Sequence, residues 1–313
     1  MSTAPTTTDL PAASPLGRIA VIDTMIGFPH GDMKETYKFI TDQTKDRQSK
    51  EQFEFPAEYM FKNVPEKELR GSLDPVATTL GEMDRWGVSQ GLINIGNDGT
   101  AERALREHPD RFIPSVGADP NCGVDEIRRI RRLHTEFDVR AVTLFPSGTF
   151  PQVAINDRLM YPIYSLCCEL DIPVFCCVGV PGPRIRMAPQ RVELIDDVMY
   201  DFPELTFVTK HGCEPWQDLI VKLMLKWPGL HYSTSAFAPR HYPKAIIDYA
   251  NTRGADKVMY AGYFPMGLSL QRIMSEMPNV AFNENVWPKF LHDNAARVLK
   301  LDRPTAANPS PQR

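Results

Sequence analysis

Residues 206–216 read Thr-Phe-Val-Thr-Lys-His-Gly-Cys-Glu-Pro-Trp, and this stretch decides the fold. A short apolar run that ends at Val208 is followed at once by four titratable side chains: Lys210, His211, Cys213 and Glu214. This order is typical of a buried parallel strand whose carboxyl end opens into an active site. The stretch therefore predicts an α/β protein with functional groups at the ends of its strands.

The same alternation of short apolar strands and amphipathic helices continues on both sides of this stretch. The predicted strands are 18–24, 90–95, 112–116, 139–144, 173–178, 205–209, 230–233 and 258–261. About eight strands that alternate with helices predict a single (β/α)8 TIM barrel. An open doubly wound sheet is the alternative, but no G-x-G-x-x-G follows a strand and no Walker loop is present.

The barrel domain is expected over residues 18–302. Residues 1–17 and 303–313 have the composition of disordered tails. Between the first strand and a helix predicted at 75–86 lies a polar, irregular segment with several aromatic residues. A segment of this kind after a first strand predicts a lid over the site or an arm at a subunit interface, so a homodimer is a possible assembly.

The composition excludes several classes of partner. The 313 residues are 42% hydrophobic and 24% charged, and the net charge is −4, so neither nucleic acid nor an anionic membrane is an expected partner. No apolar run approaches the roughly 20 residues that a membrane-spanning helix needs. The amino-terminal residues do not have the pattern of a secretory signal. We expect a cytoplasmic protein that acts on a small molecule.

The six cysteines do not predict disulfides or structural zinc. Four of them form the adjacent pairs Cys167–Cys168 and Cys176–Cys177 in apolar surroundings, and there is no C-x-x-C repeat. Most are expected to be small buried hydrophobic residues. Cys177 remains a candidate because it falls at a predicted strand end.

Six short motifs occur in an order that resembles the amidohydrolase-related branch of the amidohydrolase superfamily, the aminocarboxymuconate-semialdehyde decarboxylase-like proteins. The motifs are Glu-Met-Asp-Arg-Trp-Gly-Val at 82–88, His-Pro-Asp-Arg-Phe-Ile-Pro-Ser-Val-Gly-Ala-Asp-Pro at 108–120, Pro-Val-Phe-Cys-Cys-Val-Gly at 173–179, Lys-His-Gly at 210–212, Lys-Val-Met-Tyr-Ala-Gly-Tyr-Phe-Pro at 257–265 and Asn-Ala-Ala-Arg-Val-Leu at 294–299. The resemblance covers most of 18–301. It implies a (β/α)8 barrel that usually holds a divalent metal, which activates water or a substrate carboxylate.

The metal ligands that the resemblance implies are largely replaced. The first-strand pattern Asp-x-His-x-His is here Asp23, Met25 and Gly27, the fifth-strand histidine is Cys177, and the late aspartate is Tyr263. Only the sixth-strand histidine is present, as His211. The sequence therefore predicts a protein without a metal cofactor. A rebuilt zinc site is the alternative, with Cys177 and His211 as ligands together with His30 or Glu214.

Four residues are candidate catalytic groups. His211 could act as general acid or base, or be a packed histidine of the core. Glu214 could orient His211, or be a favourable charge at a helix amino terminus. Tyr263 could donate a hydrogen bond to a substrate carbonyl, or fill the space of the absent metal. Asp23 could be a base, or cap local backbone donors.

Five further residues are candidates for substrate binding: Lys210, Arg184, Arg186, His30 and Cys177. The guanidinium groups match the geometry of a carboxylate, although both arginines could equally be surface residues. Lys210 could receive a substrate anion or point outward. His30 could enter the site from the segment after the first strand, or belong to a turn. Cys177 could be a nucleophile that His211 activates, or a structural residue.

These observations predict a metal-independent, amidohydrolase-related enzyme that acts on a small carboxylate- or carbonyl-bearing substrate. The predicted reaction is hydrolysis, decarboxylation or another cleavage of a C–C bond. His211 is the expected general acid/base. The alternative, from another class, is a catalytically inactive barrel that binds a ligand or serves as a scaffold.

Overall fold

The computed structural model describes Gly17 and residues 19–29, 31–72 and 74–302. Eight parallel strands form one sheet in chain order, from β1 to β8. The strands are β1 Val21–Asp23, β2 Val88–Ile95, β3 Phe112–Gly117, β4 Ala141–Leu144, β5 Val174–Cys177, β6 Phe207–Lys210, β7 Leu230–Ser233 and β8 Val258–Met259. The tails predicted at 1–17 and 303–313 lie outside the described residues, apart from Gly17.

The sheet curls so that its first and last strands meet. Ile26, just after β1, forms a parallel bridge with Phe264, which follows β8. The Gly27 amide donates to the Phe264 carbonyl oxygen at 2.9 Å, and the Thr24 hydroxyl donates to the Tyr260 carbonyl oxygen at 2.7 Å. The chain order of the strands excludes the doubly wound sheet, in which the order reverses at a switch point. The predicted (β/α)8 fold is confirmed.

Helices occupy the connections between the strands, and local sequence signals set their ends. In the helix Pro75–Trp86 the Asp74 carboxylate accepts hydrogen bonds from the first turn, proline stands at the first position, and Gly87 ends the helix at a φ of 73°. The helices are α1 Met33–Thr36, α2 Lys38–Thr41, α3 Arg47–Glu51, α4 Pro65–Leu69, α5 Pro75–Trp86, α6 Thr100–Glu107, α7 Val124–Phe137, α8 Tyr161–Leu170, α9 Leu194–Asp201, α10 Gln217–Lys226, α11 Lys244–Ala250, α12 Leu270–Glu276 and α13 Asn294–Val298.

The interior of the curled sheet is a closed apolar cluster at one end. Each of β1 to β6 and β8 contributes one buried side chain to it, and α13 and Leu299 pack against the same cluster. The strand residues are Ile22, Leu92, Ile113, Ala141, Phe175, Val208 and Met259. A larger cluster fills the space between the outer face of the sheet and the helices. The interior is therefore a packed core and not a pore.

The segment between β1 and α5 carries the four short helices α1 to α4, and we call residues 33–69 the arm. Its buried side chains, which include Met33, Tyr37 and Phe55, form a cluster of their own. This cluster packs against Phe145 and Ile185, which follow β4 and β5, and against Met266 after β8. The arm therefore contacts loops at the carboxyl ends of the strands. Its role as a lid or as a dimer interface stays a prediction.

The helices that the structure describes all fall short of the length and apolar character that a membrane span requires.

Candidate active site

The interior of the sheet changes from apolar to polar toward the carboxyl ends of its strands. Side chains two positions apart on a strand lie on the same face, so the residues two positions beyond the apolar cluster also face the interior. On β2 to β6 these residues are Asn94, Ser115, Thr143, Cys177 and Lys210. Active sites of (β/α)8 barrels lie at this end. We call these five residues the polar layer.

Asn94 and Thr143 of the polar layer were missed by the sequence analysis. The Thr143 hydroxyl donates to the Asn94 side-chain oxygen at 3.4 Å. Each is a polar residue at an alternate position of an otherwise apolar strand, and that periodicity is the signal that could have identified them.

Cys177 and Lys210 are register partners on the adjacent strands β5 and β6. Burial raises the pKa of the Cys177 thiol, and the positive charge of Lys210 opposes this rise only in part. Since the thiolate is the reactive form of cysteine, the raised pKa disfavours Cys177 as a nucleophile. The amine of Lys210 and a neutral thiol thus stand side by side at the top of the interior.

A strained turn ends β6 and positions the imidazole of His211. Three consecutive residues have positive φ values: His211 at 66°, Gly212 at 82° and Cys213 at 57°. Non-glycine residues rarely adopt this conformation, and it clusters at functional sites. A Cβ on Gly212 would lie 2.4 Å from the ring of Phe237, so the turn requires glycine on steric grounds as well.

Ser235, just beyond β7, is the hydrogen-bond partner of His211. Its hydroxyl oxygen accepts from the His211 backbone amide at 3.0 Å and lies 3.3 Å from Nδ1. The Ser235 oxygen therefore contacts both the backbone and the ring of His211, and Nε2 is the ring nitrogen that has no hydrogen-bond partner among the described residues. Ser235 was missed by the sequence analysis, although the run Ser-Thr-Ser at 233–235 follows a predicted strand and was a usable signal.

The imidazole of His211 is neutral near neutral pH. Burial lowers its pKa to about 3, and the nearby charge of Lys210 acts in the same direction. His211 can therefore offer an N–H group as a hydrogen-bond donor, whereas its charged acid form is scarce at neutral pH.

Tyr263 connects His211 with the arm. Its ring packs edge-on against the His211 ring, with centroids 5.6 Å apart, and stacks on Phe61 of the arm at 5.7 Å. Burial raises the pKa of the phenol, and the nearby Cys177 and Glu66 raise it further. Tyr263 is thus a protonated donor near the same place as Cys177, Lys210 and His211.

Asp23 lies apart from this group. Its side chain is fully buried, and Oδ1 accepts hydrogen bonds from the backbone amides of Gly262 at 2.7 Å and Met25 at 2.9 Å. It follows Ile22 of the interior cluster by one position, so it faces the other side of the sheet. Burial raises its pKa to about 7 against the effect of these hydrogen bonds. The structure places Asp23 at the junction of the first and last strands, and its role as a base stays a prediction.

The remaining candidates are distributed around the loops. The Arg184 guanidinium donates to Asp46 at 2.6 Å and to Gln48 at 2.8 Å, both of the arm. Arg186 and Glu214 are exposed, and the described partner of the His211 side chain is Ser235 rather than Glu214. His30 lies outside the described residues.

Comparison with known proteins identifies the family. The family model described as amidohydrolase matches residues 38–301. The chain belongs to the amidohydrolase family, which confirms the resemblance seen in the sequence and the prediction of an enzyme. Among proteins with curated functions, none matches the chain.

Solved structures share the fold over nearly its whole length. A TIM-barrel protein from Bordetella bronchiseptica, Bb4693, is 21% identical with a TM-score of 0.70, over 90% of this chain and 98% of that one. 5-Carboxyvanillate decarboxylase from Novosphingobium aromaticivorans, in complex with manganese and 4-hydroxy-3-methoxy-5-nitrobenzoic acid, is 16% identical with a TM-score of 0.66, over 90% and 96%. Dihydroxybenzoic acid decarboxylase from Polaromonas sp. JS666, with manganese and 2-nitroresorcinol, is 15% identical with a TM-score of 0.61, over 91% and 98%.

The prediction that no metal cofactor is used is corrected by these relatives. Two decarboxylases of the same fold hold manganese together with a small-molecule ligand, which points to a divalent metal as the cofactor of this fold. In the described part of this chain, however, no three His, Cys, Asp or Glu side chains come together as a group that could hold a metal ion. The resemblance implies metal donors at four positions that are occupied here by Met25, Gly27, Cys177 and Tyr263. The residues present do not fit the usual metal site.

Proposed function

We propose that the protein is a decarboxylase-like lyase. Its substrate would be a small acid that carries a carbonyl or phenolic oxygen close to the carboxylate. The observation that carries this proposal is the convergence of one cation and two neutral hydrogen-bond donors: Lys210 at the end of β6, His211 beside it and Tyr263 after β8. The family match and the decarboxylases of the same fold support it.

Decarboxylation needs a place for the electron pair that the departing CO2 leaves behind. A neighbouring carbonyl or phenolic oxygen accepts this charge, and donors aimed at that oxygen stabilise the transition state. We assign this role to the N–H of the His211 imidazole and to the hydroxyl of Tyr263, because the imidazole and the phenol are both neutral at neutral pH. The charge of Lys210 adds an attraction for the developing oxyanion. The carbon that loses CO2 then takes a proton from solvent.

Hydrolysis is less well supported by the same site. Hydrolysis needs a base that activates water, and a base works best when its pKa is near the working pH. The pKa of His211 is lowered to about 3, which makes it a weak base. Glu214 is exposed and does not contact the His211 side chain. Cleavage of a C–C bond is therefore the reaction that these side chains favour.

A direct assay of CO2 release tests the proposal. The panel would include 5-carboxyvanillate, a dihydroxybenzoate and the 3-oxo acid acetoacetate, each with and without added manganese. We expect CO2 from at least one acid, and loss of that activity in the variant Tyr263→Ala. Binding of these acids without CO2 release in either condition would contradict the proposal and would favour the barrel that only binds a ligand.

A further inference from the structure

Lys210 occupies a position in the fold that is unusual for a lysine. It is the last residue of β6, two positions beyond Val208, whose side chain belongs to the apolar interior cluster. Its side chain therefore rises into the top of the interior, beside its register partner Cys177 on β5. A long amine at the carboxyl end of a barrel strand can reach a substrate bound at that end.

The amine of Lys210 has no partner within the described ranges 19–29, 31–72 and 74–302. It forms neither a hydrogen bond nor an ion pair there, although its side chain is only partly exposed. Other lysines of the chain are paired, as Lys226 is with Asp196 and Lys289 with Asp256. An amine in a partly dry site without a carboxylate is the arrangement that enzymes use for lysines that react with carbonyl groups.

The neighbours of Lys210 fit a reaction at a carbonyl. Cys177 is a buried thiol, and Tyr263 and His211 pack ring against ring with centroids 5.6 Å apart. Ser235 contacts Nδ1 of His211, so Nε2 is the ring nitrogen that faces no hydrogen-bond partner among the described residues. The site thus offers an amine that can attack a carbonyl carbon, next to two hydrogen-bonding side chains for the oxygen of that carbonyl.

We propose that Lys210 forms an imine with the carbonyl group of a 3-oxo acid and that this imine is the electron acceptor for decarboxylation. This rests on the proposed function and names its substrate class. The amine, in its uncharged form, attacks the carbonyl carbon to give a carbinolamine. Loss of water, with a proton taken up from solvent, leaves a protonated imine.

The subsequent steps balance without an oxidant or reductant. The bond to the carboxylate breaks, CO2 leaves, and its electron pair moves into the protonated imine to form an enamine. The enamine carbon takes a proton from solvent. Water then hydrolyses the imine, which releases the ketone and restores the amine of Lys210.

Trapping with sodium borohydride tests the imine separately from decarboxylation. The full-length protein would be incubated with acetoacetate and borohydride, and the peptide that contains Lys210 would be examined by mass spectrometry. We expect a reduced adduct on Lys210. An adduct that retains the carboxyl group, without CO2 release, would support the imine and contradict the decarboxylase. CO2 release without any adduct would overturn the imine and leave the decarboxylase standing. Absence of both would overturn the imine for this class of substrate.

Variants separate a covalent role of Lys210 from its charge. Lys210→Arg keeps the positive charge but cannot form an imine, and we expect it to lose the adduct and to lower acetoacetate turnover by about 100-fold or more. Lys222→Ala on the exposed face of α10 is the matched control and should keep both. If a folded Lys210→Arg protein, verified by circular dichroism, kept most of the turnover, the proposal would be wrong.

Discussion

Two regions of the barrel carry a titratable side chain: the junction of β1 with the chain that follows β8, and the end of β6. They differ in whether that side chain has hydrogen-bond or ion-pair partners within the protein. At the junction, Asp23 is fully buried and accepts two backbone hydrogen bonds, one of them from Gly262 across the junction. At the end of β6, the amine of Lys210 has no hydrogen-bond or ion-pair partner among the residues that the structure describes. A fully buried group that is held by backbone amides of its own chain is not open to a ligand. A group that lacks such partners is available to a ligand.

The largest effect is expected at the junction. Because burial raises the pKa of Asp23 from 3.8 to about 7, the folded state favours its protonated form. The stability that the buried carboxyl group of Asp23 contributes is therefore fully present below 3.8, its pKa in the unfolded chain, and is lost as the pH rises through about 7, its pKa in the folded protein. Asp23→Asn has no carboxyl group to ionise and avoids this loss. The free energy of unfolding of the variant minus that of the unchanged protein should therefore rise by on the order of 4 kcal/mol between about pH 4 and pH 8.

Urea unfolding at both pH values measures this difference. Asp125→Asn, at an exposed position of α7, is the control and should show no comparable trend. A difference between the Asp23 variant and the unchanged protein that did not vary with pH would show that the carboxyl is not the buried, partly protonated group described above.

The second effect is expected at the end of β6. His211→Gln removes the ring donor from the proposed site, and the loss of one such donor typically lowers kcat by about 100- to 1,000-fold. Because the pKa of His211 is about 3, its imidazole is neutral at pH 5.5 and at pH 8, so the fold reduction should be similar at the two values. Assays of CO2 release provide the measurement, with His292→Gln at a partly exposed position as control. A loss confined to one side of pH 6.5 would instead indicate a titrating acid or base.

A third, smaller effect concerns the strained turn after β6. Gly212→Ala places a Cβ at a φ of 82° and 2.4 Å from the Phe237 ring, and we expect a cost of about 1–3 kcal/mol in unfolding free energy. Gly81→Ala in α5 is the matched control, since a Cβ there meets nothing within 4 Å and alanine favours a helix. Equal thermal stability of the two variants would show that the turn does not need its glycine.

The smallest effect is expected for the partner of His211. Ser235→Ala removes the hydrogen bonds to the backbone amide and to Nδ1 of His211, each worth about 0.5–1.5 kcal/mol. Loss of the bond to the ring should lower kcat by up to about tenfold with KM little changed. Ser233→Ala at the end of β7 is the matched control, because its hydroxyl donates to the Thr209 carbonyl oxygen and does not contact His211. If both variants behaved alike in kcat, Ser235 would not be orienting the imidazole.

Several features of the site show where sequence reasoning succeeds and where it stops. Lys210 and His211 were identified because they follow a short apolar run, and the ends of parallel strands meet at one end of a barrel. Tyr263 was identified from the family resemblance, since it stands in place of the late aspartate. Ser235 and Asn94 were missed, because their partners His211 and Thr143 are distant in sequence. Arg184 and Asp23 were predicted near the substrate, but the structure engages them with the arm and with the junction of the sheet.

The sequence by itself determined the alternation of strands and helices and the family, because apolar periodicity, helix caps and short motifs are local properties of the chain. Only the tertiary structure decided which face of β1 carries Asp23, which residue contacts the imidazole of His211, and that the Lys210 amine stands without a partner among the described residues. These properties depend on strand register and on burial. Both arise only when segments far apart in the chain are brought into contact, since the curl of the sheet alone places Gly262 against Asp23.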